Sequence, residues 1–215
     1  MIKKIEILKS RSGFSFLEVV FFVAISAIIL VAVMGIKNNV GNLQNFINQK
    51  LMSRQDLDQT FQILVTEVRS AQPSGLGAYP IVAATSTSFT FFSDVDKDGL
   101  VDRVRYFLST STVSSTVTNV LNRGIIEPVG SPFVYSTSSE KISTVVNNII
   151  TSTSTAIFEY FGSSATTTAV SLSYPVDISS IRFVKINLFV DINPGVSPKA
   201  SLFTDTVTIR NLRSN

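Results

Sequence analysis

Residues 14–36 read FSFLEVVFFVAISAIILVAVMGI, a run of 23 residues in which only Ser15, Glu18, Ser26 and Gly35 are not apolar. As a helix rising 1.5 Å per residue it would be about 35 Å long, enough to cross the ~30 Å hydrocarbon layer of a bilayer. A secretory signal peptide has a shorter apolar stretch that ends at a small-x-small site. Ala24-Ile25-Ser26 imitates such a site, but a mostly apolar stretch continues beyond it, so the segment reads as a span that is kept. In front of it, residues 1–13 carry Lys3, Lys4, Lys9 and Arg11 against Glu6. This leader accounts for the whole formal charge of +3, and the rest of the chain is neutral. Basic residues at one flank of a span mark its cytoplasmic side, and a neutral body offers no electrostatic footprint for nucleic acid.

The chain of 215 residues has no histidine, no cysteine and no tryptophan, and 15% of it is charged. Without imidazole or thiol there is no Ser-His pair, no thiolate nucleophile and no His/Cys zinc site. Disulfides are excluded as well. A domain on the far side of the membrane must then hold together by core burial or by a metal ligated through oxygen. No Gly-rich phosphate cradle occurs, and Gly75-Leu76-Gly77 reads as a turn. The chain reads as a non-enzyme.

Glu18 stands out within the span. A carboxylate deep in hydrocarbon costs roughly 2.5–3.5 kcal/mol, and such residues are commonly paired and functional; the plainer reading places Glu18 near the cytoplasmic headgroups, where its side chain snorkels. The leader MIKKIEILKSRSG followed by FSFLEVVFFVAISAIILVAV resembles the amino-terminal segment of type IV pilins and of the pseudopilins of type II secretion. That resemblance implies cleavage by prepilin peptidase between Gly13 and Phe14, N-methylation of the new terminal Phe14, and an assembly role for Glu18 at the fifth mature position. The amine freed on a neighbouring subunit would pair with Glu18, because a charge buried alone is far more costly than a paired one; the alternative is that Glu18 serves only peptidase or membrane recognition.

The resemblance also implies partners: other pilin or pseudopilin subunits, the peptidase, an inner-membrane assembly platform and membrane lipid. It places the chain as a single-pass inner-membrane protein with its head in the periplasm or outside, moving into a filament on assembly.

Beyond the span, apolar residues recur at Ile36, Val40, Leu43, Ile47, Leu51, Leu57, Phe61, Leu64 and Val68, mostly three or four apart. That spacing predicts a helix with one face packed on a body. Charged Arg54, Asp56, Asp58 and Glu67 fall among the intervening polar positions. Gly35 and Gly41 are places where the helix could bend, and Gln72-Pro73-Ser74-Gly75 is its stop.

From residue 73 onward, short β-rich runs alternate with Ser, Thr, Pro, Gly and Asn. Strands are expected at Ser88–Ser93, Arg103–Leu108, Ala156–Phe161, Ile181–Ile192 and Ser201–Leu212. The last two flank Asn193-Pro194-Gly195 and should pair antiparallel. Alternation puts Arg182, Val184, Ile186, Leu188, Val190 and Ile192 on the core face. The Ser/Thr tracts at 109–118, 136–139, 151–155 and 163–168 read as exposed strands and loops in preference to a glycan-bearing stalk.

The fold expected is α+β: leader 1–13, transmembrane half 14–36, amphipathic helix 37–72 and an antiparallel β head 73–215. FTFFSDVDKDGLVDRVRYFL at 89–108, FEYF at 158–161 and TVTIRNL at 206–212 resemble the heads of the larger minor pilins and pseudopilins, the J-type of type II secretion and the W-type of pili.

Between two expected strands lies Asp94-Val95-Asp96-Lys97-Asp98-Gly99-Leu100-Val101-Asp102. Asp94, Asp96, Asp98, Gly99 and Asp102 match positions 1, 3, 5, 6 and 9 of a calcium loop, with the Leu100 carbonyl at position 7. Position 12, where a bidentate Glu closes the shell, is Arg105, so a full EF-hand is disfavoured. Two readings stand side by side: calcium held by these residues as a staple, or turn chemistry in which the carboxylates cap backbone N–H groups in water.

The function expected is a structural filament subunit. The rival is a surface adhesin or binding module on an uncleaved signal anchor.

Overall fold

The computed structural model describes residues 15–113, 116–151, 155–162, 170–191 and 200–212, with the side chains of 38–53, 113 and 116 left aside. The leader 1–13, both residues of the Gly13–Phe14 bond, the tract 163–168 and the Asn193-Pro194-Gly195 turn lie outside these residues. The chain divides into two units, Met1–Gln49 and Lys50–Asn215.

One helix, α1 (Phe16–Arg69), begins just after Ser15, whose carbonyl accepts the N–H groups of Glu18 and Val19. Glu18 in the first turn complements the helix dipole. The run passes through Gly35 and Gly41 unbroken: a single glycine costs about 1 kcal/mol against alanine, too little by itself to halt a long helix. Within the first unit, Phe16–Lys37 is long and apolar enough to cross a membrane, and none of it is buried.

In the second unit the helix ends at Arg69, three residues before the stop expected at Gln72. Ser70 turns its hydroxyl back onto the Glu67 carbonyl and across to Ser93, and the Gln72 N–H leaves the helix for the Phe92 carbonyl. Phe61, Leu64, Val65 and Val68 are buried, at helical spacing. They join a core with Phe89, Phe91, Tyr106, Leu121, Phe158, Tyr160, Ile186 and Val207.

Among the described residues the sheet has eight antiparallel strands: β1 (Ile81–Ala84), β2 (Ser88–Ser93), β3 (Asp102–Val113), β4 (Thr116–Ile126), β5 (Lys141–Ile149), β6 (Phe158–Phe161), β7 (Phe183–Val190) and β8 (Ser201–Thr208). Their order is β1-β2-β3-β4-β5-β7-β6, with β8 also on β7. An N-terminal apolar helix followed by an antiparallel sheet makes the chain α+β. β2 has the expected bounds. The other expected strands differ at their ends: β3 runs on into the 109–118 tract, β6 starts two residues late, and β8 stops at Thr208 before a 3-10 turn at Arg210–Leu212.

β7 pairs antiparallel with β8 and buries Val184, Ile186, Leu188 and Val190 of the face that alternation selected; Arg182 is half-buried ahead of the strand, Ile192 lies outside the described residues, and Asn187 of the opposite face is buried as well. Ile181 is buried too, although alternation set it opposite, because the strand proper begins only at Phe183 and Ile181 closes a 3-10 turn at Ile178–Ser180.

β7 has three neighbours and a strand has two sides. β8 covers its full length, so β5, meeting it at Val190, and β6, meeting it at Phe183–Ile186, share the other side in succession. Among the described residues β8 pairs with β7 and no other strand. On it, Asp205 shares the face of buried Phe203 and Val207.

Candidate functional site

Glu18 lies in the first turn of an apolar helix whose side chains stand exposed on every side, Phe16, Leu17, Phe21 and Phe22 among them. A soluble amphipathic helix would bury one stripe of such residues; here, among the described residues, none covers a stripe of Phe16–Lys37. The expected partner of Glu18, the Phe14 amine of a neighbour, belongs to a residue outside the described ones.

The acidic loop joins β2 to β3 as a hairpin closed by the Ser93–Asp102 pair. This geometry excludes the helix flanks of an EF-hand, as the strand-like neighbours suggested. Lys97 and Gly99 take φ of +62° and +88° to reverse the chain, a region in which glycine alone is free of strain.

The hairpin brings Asp94, Asp96 and Asp98 together, with one carboxylate oxygen of each within 4.8 Å of the others. It does not bring Asp102 to them. Asp102, only 2% exposed, accepts the Val95 N–H at 3.4 Å from the base of the loop. Burial pushes its carboxyl up to about 6 against the pull of that N–H, and the charges of Asp96, Asp98 and Glu127 push in the same direction as burial.

The loop's own N–H groups reach one oxygen of each of Asp94, Asp96 and Asp98. Gly99 donates to Asp94 Oδ2 at 3.2 Å, Asp98 to Asp96 Oδ1 at 3.3 Å, and Leu100 to Asp98 Oδ1 at 2.7 Å. Asp94 Oδ1 is buried with no hydrogen-bond partner. Arg105, at the closing position of the calcium pattern, faces elsewhere: Nε and Nη2 hold Glu140 at 2.9 and 2.8 Å, and the guanidinium lies 4.0 Å from the centre of the Phe107 ring. The local contacts are those of a turn whose acids cap its backbone.

A second cluster was not foreseen. Glu67 of α1, 9% exposed, receives the Tyr106 hydroxyl at 2.7 Å from β3 and the Arg123 Nε at 3.0 Å from β4, with Arg123 Nη2 on its other oxygen. Tyr106 and Arg123 face each other across the β3–β4 ladder. Burial and the neighbouring Glu67 charge push the Tyr106 phenol up. Burial pulls Arg123 down, but its hydrogen bonds and charge pairing with Glu67 outweigh this and hold the guanidinium above its ordinary range. Glu67 follows Leu64 by three and precedes Ala71 by four, so spacing put it beside the apolar stripe; its charge alone suggested solvent.

Where β5 gives way to β6 along β7, a cleft of about 570 Å³ opens, lined by Ser86, Thr87, Ile150, Tyr174, Phe189 and Leu202 among others. The Tyr174 hydroxyl donates to the Phe158 carbonyl, so it is already engaged.

No family model matches the chain, no curated protein matches it, and no solved structure matches it.

Proposed function

We propose that this protein is a structural subunit, a minor pilin or pseudopilin, of a filament of the type IV pilus or type II secretion kind. The observation that carries the reading is the helix Phe16–Lys37, apolar around its whole circumference with one carboxylate in its first turn. Such a surface is satisfied by lipid before assembly and by the helices of neighbours afterwards. Packing those helices together trades lipid contacts for side-chain interdigitation and gives Glu18 an amine to pair with.

The antiparallel sheet with the last helical turns packed against it supplies a body that such a filament would carry outside the membrane. Processing falls between Gly13 and Phe14, and Phe14 is the methylated terminus.

The test is the mature amino terminus, read by Edman sequencing and intact mass on protein extracted from membranes of cells that make prepilin peptidase. The expected product begins at methylated Phe14. A chain that still begins at Met1 overturns the filament reading in favour of a binding module on a signal anchor.

A further inference from the structure

We draw no further inference here: the strongest candidate, the cleft of about 570 Å³ beside β7 where β5 gives way to β6, is lined by uncharged side chains, and nothing in the structure shows what covers it.

Discussion

At Asp102 the fold holds a carboxyl whose proton is bound more tightly than in an unfolded chain, with a pKa near 6 against an ordinary 3.8. Ionising it inside the fold is therefore unfavourable, and this group lowers stability above pH 6; its penalty fades as pH falls through 6 and is gone below about 4. Asp102→Asn keeps an oxygen for the Val95 N–H and removes the charge. We expect it to raise stability at pH 7 by about 1 kcal/mol or more, two pKa units setting an upper bound near 3 kcal/mol, and to flatten the profile between pH 4 and 7. Denaturant midpoints at pH 4.5, 5.5 and 7 check both.

Nearby, one oxygen each of Asp94, Asp96 and Asp98 accepts the Gly99, Asp98 or Leu100 N–H, which should let the hairpin close without a cation even with Asp94 Oδ1 left unpartnered. The expected melting temperature of the detergent-solubilised chain is the same in excess calcium and in chelator. A calcium-dependent rise that Asp96→Asn abolishes would put a cation among the three acids. The order of acids was legible in the sequence. The burial of Asp102 was not, because it depends on Ser93 closing the strand pair.

Among the elements, legibility followed composition. β2, SFTFFS, is rich in aromatic residues and was placed to the residue. β4 (TVTNVLNRGII) and β5 (KISTVVNNI) carry Ser, Thr, Asn and a glycine at positions where a strand pattern is read, and they escaped notice. Val, Ile and Thr give both segments a local preference for strand, but Asn119, Asn122, Gly124, Asn147 and Asn148 interrupt the pattern, and pairing with β3 and with each other fixes them in the sheet. The ionic tie of Glu67 to Tyr106 and Arg123 is likewise set by which strand lies beneath the helix.

Removing one member of that tie leaves a buried charge without its counterion. Glu67→Ala should cost about 3 kcal/mol in the unfolding free energy of the full chain. Replacing all three by apolar groups of similar volume, Glu67→Leu with Tyr106→Phe and Arg123→Met, should recover most of the loss. If the single and triple variants are equally unstable, the cost comes from lost packing rather than from the stranded guanidinium.

For the molecule as a whole, the membrane-compatible helix was the most legible part, since 23 nearly uninterrupted apolar residues leave few alternatives. The proposed assembly gives it a sharp consequence. Glu18→Leu removes the unfavourable charge from the span, so the variant should insert in the membrane as well as the parent while its recovery in sheared filaments falls at least tenfold. Fractionation and immunoblotting of cells carrying either form measure the two quantities, and undiminished recovery would count against the pairing role.

The proposed filament would also crowd many copies of the head together, and crowding favours open strand edges zipping into one another. Along Ser201–Thr208, an incoming strand would meet the Asp205 carboxylate, which lies on the inward face of β8 and accepts the Thr206 N–H at 2.7 Å. In the proposed filament, that inward acid would help keep neighbouring heads separate bodies instead of one fibrous ribbon.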